Sequence, residues 1–133
     1  MKLLIIAGEV PDAATVRDAA ERDAEVYVVA PALEDSPVRF WVSDVDDAIA
    51  RAREIEQASV AKLRGANVEV GGEVGEAEPL QAARDALAVF PADRVLILTH
   101  EDDERAYRED ELDAARAELG VPVTVRRVAR TTS

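Results

Sequence analysis

RVLILTHEDDERAYRED, residues 94–110, joins an uninterrupted apolar run, a Thr-His pair and an acid-loaded segment. Val95, Leu96, Ile97 and Leu98 stand in a row without polar alternation. That is the pattern of a strand buried on both faces, as in a parallel sheet covered by helices on each side. The first strand candidate, KLLIIA at residues 2–7, is equally apolar and is bounded by Gly8. Two such strands belong beside each other at the centre of a sheet, and that adjacency orders everything else.

Working outward, strand and helix signals alternate along the whole chain. Pro11 and Asp12 start a helix over 12–22, and EVYVVA (25–30) makes a second strand stopped by Pro31. An irregular connector, 31–42, contains Phe40 and the single tryptophan, Trp41. Ser43 then caps the longest helix, about 44–64, whose Val45, Ala48, Ile49, Ala52, Ile55, Ser59 and Leu63 form a narrow apolar stripe. Gly65 stands where a left-handed cap is expected. Residues 66–74 form a third strand nearer the sheet's edge, and Glu78-Pro79 opens a helix with proline at its favoured first position. After the strand at 94–99, a helix over roughly 106–119 ends at Gly120, and VPVTVRRV (121–128) is the fifth strand.

This alternation predicts one α/β domain spanning 1–133: a three-layer, Rossmann-like, doubly wound sheet of five parallel strands in the order 3-2-1-4-5. The winding direction reverses between strands one and four, and ligands in open α/β sheets sit at the carboxyl ends beside such a reversal. Gly8, Glu9, Thr99, His100 and Glu101 would line that crevice, with Pro31 nearby.

Composition narrows the partners. The net charge of −12, from 28 acidic and 16 basic residues, repels polyanions, so no nucleic acid is expected. Apolar runs are far shorter than a membrane span, and KLLIIA lacks a cleavage signature, so a cytoplasmic protein with no membrane partner is expected. The absence of cysteine removes disulfides, thiol nucleophiles and cysteine-based metal sites. No Walker loop, GxGxxG, GxSxG or HExxH motif occurs, and a single histidine cannot build a triad or a zinc site.

Several stretches carry a family resemblance. A strand ending near a small residue, GE-x-G ahead of a proline-started helix, PADRVLILTH and a short final PVTVRRV together resemble the universal stress protein family over nearly the whole chain. RFWVSDVDDA (39–48) and GEVGEAEPLQAARDALAVFPADRVLILTH (72–100) resemble a short, single-domain branch of it. The resemblance implies the adenine nucleotide alpha hydrolase-like version of the sheet derived above, a role in stress response, and homodimers paired through the last strand. It also implies that some relatives bind ATP through Gly-x-x-Gly, nine residues, then Gly-Ser/Thr, directly after the fourth strand. Glycines there let the backbone approach phosphates, and the freed amides bind the charge.

This chain departs from that pattern at every point. The two glycine positions fall on Glu101 and Glu104, no glycine occurs between Gly75 and Gly120, and no Gly-Ser/Thr pair follows. Like charges about 4 Å apart near a surface repel by on the order of a few kcal/mol, so a triphosphate would meet repulsion in place of an amide cradle. The expectation is a non-enzymatic domain with no cofactor, acting through a small ligand or a protein partner. The alternative keeps a nucleotide, ATP or AMP, in the crevice by base and sugar. A cation-dependent hydrolase stands third.

Individual residues have two readings each. His100 either closes the strand end through a hydrogen bond or carries chemistry. With Glu101, Asp102, Asp103 and Glu104 it could hold Mg²⁺, Ca²⁺ or Mn²⁺, although the same acids also suit a solvated run or a helix N-terminus. Tyr107 is either a lid over the crevice or a staple for the helix after it. Phe40 and Trp41 either line the pocket or bury against a helix or partner. Val121, Val123 and Val125 share one face of the last strand, the candidate surface for a homodimer that would cover an open edge.

Overall fold

The computed structural model describes residues 1–32, 44–75, 78–100 and 109–128. The strands are β1 (Lys2–Ala7), β2 (Glu25–Pro31), β3 (Glu69–Gly75), β4 (Arg94–His100) and β5 (Val123–Val128). The helices between them are α1 (Ala13–Glu21), α2 (Asp44–Gly65), α3 (Pro79–Val89) and α4 (Glu109–Leu119). The five strands form one sheet in the order β3-β2-β1-β4-β5, parallel throughout. The α/β, doubly wound architecture read from the two apolar runs is the observed one, with β1 and β4 paired at the centre through Leu3↔Arg94 to Ala7↔Leu98.

Side chains alternate across the sheet and feed two cores. Leu3, Ile5, Ala7, Val26, Val28 and Leu98 pack with Val16 and Ala19 of α1 and Leu63 of α2. Leu4, Ile6, Val29, Val95 and Ile97 pack with Ala82, Ala83 and Ala86 of α3 and Leu112 of α4. Small residues on the helices let them lie close to a sheet already crowded with branched side chains. The stripe expected on α2 is buried at Ala48, Ala52, Ser59 and Leu63, and the Ser59 hydroxyl donates to the Ile55 carbonyl at 2.6 Å, satisfying itself within its own helix.

The termini of the elements follow their sequence signals with two changes. Asp12 caps α1 and Glu78 caps α3, the latter accepting from the backbone N–H groups of Leu80 and Gln81 with Pro79 in the first turn. Gly65, by contrast, is the last helical residue of α2 rather than its left-handed cap. The positive φ falls at Asn67, +64°, asparagine being one of the few residues that tolerate it. Gly120 does take the left-handed conformation after α4, at +74°. The second change is at the last strand: pairing begins at Val123, so Val121 precedes β5. Ser43, Phe40 and Trp41 lie outside the described residues.

β3 is an edge strand and explains its own glycines. A Cβ on Gly72 would stand 2.8 Å from Glu56 Oε1, 2.9 Å from Val60 Cγ2 and 3.1 Å from the Val28 carbonyl. One on Gly75 would fall inside the envelope of Val29 Cγ1, with Ala82 Cβ 3.4 Å away. The GE-x-G spacing at 72–75 therefore marks the two places where flanking side chains approach the β3 backbone too closely for a side chain.

Candidate functional site

The reversal between β1 and β4 sets the carboxyl ends of these strands side by side. There the Gly8 N–H donates to the Leu98 carbonyl at 2.9 Å, the last rung before the two chains diverge into their loops. Glu9 and Thr99 are the next residues on either chain, and both are buried, at 8% and 7% exposed. Pro31, also buried, ends the neighbouring β2. The topology thus brings Gly8, Glu9, Thr99 and Pro31 to one edge of the sheet. The His100 backbone completes β4, opposite Val128 of β5. Glu101 and Tyr107, with the acids at 102–104, fall outside the described residues, as does the cation reading built on them. Among the described residues no cluster of acids and histidine could hold a metal ion.

Glu9 Oε1 accepts a hydrogen bond from the Val10 N–H at 3.1 Å. The other oxygen takes none among the described residues, and neither does the Thr99 hydroxyl. These are unusual positions, since buried polar groups nearly always find partners.

The segment after Glu9 is anchored from three directions. Asp12 Oδ1 accepts from the Thr15 N–H at 2.9 Å, capping α1, and from the Thr15 hydroxyl. Its other oxygen, Oδ2, accepts from Arg126 Nη2 at 2.8 Å and Nε at 3.3 Å. Lys62 Nζ of α2 donates to the Pro11 carbonyl at 2.6 Å, and Pro11 itself is fully buried. One carboxylate therefore serves both a helix terminus and a side chain of β5. Charge-assisted pairs of this kind are the stronger hydrogen bonds in proteins.

Partial burial raises the Asp12 carboxyl, but the hydrogen bonds from Arg126 and Thr15 and the guanidinium charge outweigh it and hold the pKa at about 2. The sign follows directly. A carboxyl depressed from 3.8 to about 2 contributes stability at neutral pH that is lost as pH falls through that interval. Asp12→Asn is expected to flatten the dependence of unfolding free energy on pH between about 4 and 2 relative to wild type, by about 1 kcal/mol after solvent screening. Urea titrations at a series of pH values check it, and parallel curves for the two proteins would refute it.

Gly8 and Glu9 directly follow β1, and Thr99 lies in the last two residues of β4. Asp12 carries only a helix start signal in the sequence, and nothing local singles out Arg126. Their contact joins residues 114 positions apart, and no local pattern announces it. The dimer-strand candidates share one face, the one turned toward α3 and α4. Val123 is buried in the core beneath α3 and α4, with Val121 and Val125 packed partly against it. What the β5 edge offers outward is its backbone and exposed Thr124, Arg126 and Arg127.

Scanned against protein-family models and against curated proteins, the sequence matches none. Solved structures do match. A universal stress protein from Archaeoglobus fulgidus aligns with a TM-score of 0.63 at 20% identity, covering 94% of this chain and 97% of the other. The universal stress protein UspA from Lactobacillus plantarum aligns with a TM-score of 0.67 at 15% identity, covering 96% and 97%. At these identities the likeness establishes the fold, over nearly the full length of both chains, and agrees with the resemblance carried by the sequence. No described helix is long and apolar enough to cross a membrane.

Proposed function

We propose that this domain, with its universal stress protein fold, is a non-enzymatic small-ligand-binding module. Its crevice lies between the carboxyl ends of β1 and β4 and lacks a phosphate cradle, and the domain pairs with a second copy along β5. The observation that carries the reading is the glycine-free, acid-rich stretch beginning at Glu101, joined directly to the strand end where such folds bind ligands. Without glycines the backbone there cannot approach a polyphosphate as closely, and the acids repel one. A nucleotide held only by base and sugar is the second reading, favoured by the buried polar groups at Glu9 and Thr99, which suit a heterocycle edge better than a phosphate. The edge position of β5 supports the pairing, because open strand edges need covering.

Thermal unfolding with ATP, AMP and adenosine, each with and without Mg²⁺, tests the reading. ATP at about 100 times a true dissociation constant would stabilise by roughly 2.7 kcal/mol, a shift of several degrees. The expected result is no shift with ATP. A saturable rise with ATP alone overturns the reading, and equal rises with adenosine, AMP and ATP establish the second one. Light scattering of the same samples should give the mass of a dimer at micromolar concentration; a monomer removes the pairing.

A further inference from the structure

We infer that the open edge of β3 is a docking site for an extended partner segment of the pattern basic-x-apolar-x-basic, which adds to the sheet as a sixth strand. This edge is the one opposite β5 and is separated from the β1–β4 crevice by β2. It stands whether or not the crevice takes a ligand.

β3 pairs on one side with β2, in unbroken register from Glu25↔Glu69 to Pro31↔Gly75. Among the described residues nothing pairs with its other side. Proteins usually blunt such an edge with lysine, proline, a bulge or a very short strand. EVGGEVG has none of these over its seven residues. It also holds one glycine more than packing requires. Gly72 is hemmed in by Glu56 and Val60, and Gly75 by Val29. A Cβ on Gly71 would meet only Tyr27, at 3.6 Å from Cδ1 and 3.7 Å from Cε1, which are ordinary contacts. Glycine inside a strand weakens it and often marks the close approach of another backbone. Gly71 is exposed, so that approach is open from outside the domain.

Alternation sets Glu69, Gly71 and Glu73 on one face, the side on which Gly75 meets Ala82 of α3. Glu69 and Glu73 are exposed and stand roughly 13 Å apart along the strand, at about 3.3 Å per residue. The Tyr27 hydroxyl donates to the Glu73 carboxylate, and burial together with that carboxylate raises the tyrosine pKa. Phe90 stacks on Tyr27, with ring centroids 5.3 Å apart, and holds the ring in place. A notch results: bare backbone at Gly71, the Tyr27 ring along one side and a carboxylate at each end. On the opposite face Glu56 lies beside Gly72, and β3 itself carries no base.

A pairing strand sets its side chains about 5 Å from those opposite. Basic residues opposite Glu69 and Glu73 meet complementary charge. An apolar side chain opposite Gly71 covers the glycine and reaches the Tyr27 ring, an arrangement that compensates a glycine in an edge strand. A second β3 is a poor occupant, since antiparallel pairing centred on Gly71 sets Glu69 against Glu73. The rival is β5 of another copy, with its exposed Arg126 and Arg127.

Titration of the ¹⁵N-labelled full-length chain with the end-blocked peptide TRTFTRT tests the inference. Amide signals of Glu69–Gly75 are expected to move, with TETFTET binding at least ~10-fold and TRTGTRT ~5-fold more weakly. The double variant Glu69→Lys, Glu73→Lys should reverse the charge preference, which a misfolded protein would not do. Of two TRTFTRT analogues N-methylated on alternate backbone amides, one on the even positions and one on the odd, strand addition requires that one loses binding and the other keeps it. Equal binding by those two analogues, equal binding of TRTFTRT and TRTGTRT, or signal changes that avoid β3 overturn the inference. So does movement of β3 amides with protein concentration alone that Arg127→Ala abolishes, which would give the edge to another copy of this chain.

Discussion

Gly75→Val is expected to destabilise the domain by about 3 kcal/mol, and Gly75→Ala by about 1–3 kcal/mol, because both overfill a packed seam. A Cβ at this position is driven into Val29 Cγ1 and against Ala82. Neither neighbour can yield. Val29 is buried on β2, between β3 and β1, with its single torsion fixed by branching, and Ala82 belongs to the buried face of α3. At roughly 4 °C per kcal/mol for a domain of this size, the valine variant should melt about 10 °C early. Gly71→Ala is the internal control. There a Cβ would meet the Tyr27 ring at 3.6 Å, an ordinary contact, and the lost flexibility of the unfolded chain offsets any small cost. Urea unfolding of the three variants decides the matter: equal midpoints for Gly71→Ala and Gly75→Ala would show that the seam relaxes freely.

Leu98→Ala should cost about 2–5 kcal/mol, the range for removing a fully buried leucine and leaving a cavity. Leu98 is 0% exposed and lies in the core shared by α1, α2 and the sheet. Its carbonyl also holds the Gly8 amide at the crevice, so the damage reaches the site as well as the core. Hydrogen exchange at Gly8 should rise with the loss of global stability. Leu96→Ala, two residues earlier on the same strand face and only partly buried, should cost about half as much. A Leu98 variant no less stable than the Leu96 variant would mean that the mouth of the sheet is loosely packed and adapts to the missing side chain.

The sheet was legible because the relevant physics is local. A strand between two helical layers must be apolar on both faces, and KLLIIA and RVLILT declare that without reference to any other part of the chain. Two such strands go to the centre, the remaining three take the flanks, and the order β3-β2-β1-β4-β5 results. Pro79 and Gly120 mark boundaries for equally local reasons of φ and missing hydrogen-bond donors. Gly65 misled because a helix end depends on where the following strand must start. The chain carries α2 one residue further than expected and turns at Asn67 instead.

The candidate site divides in the same way. The expectation of a site at the carboxyl ends of β1 and β4 needs only the strand order, and the absence of glycine between Gly75 and Gly120 is plain in the order of residues. Burial and pairing are not. Whether Glu9 is a solvated acid or a buried one depends on what covers it. Asp12 finds Arg126 only because β4 alone separates β5 from β1, and Val123 turns into the core because α3 and α4 occupy that face. Those are contacts between residues distant in the chain, whose energies depend on exclusion of water by neighbours that no short segment can specify.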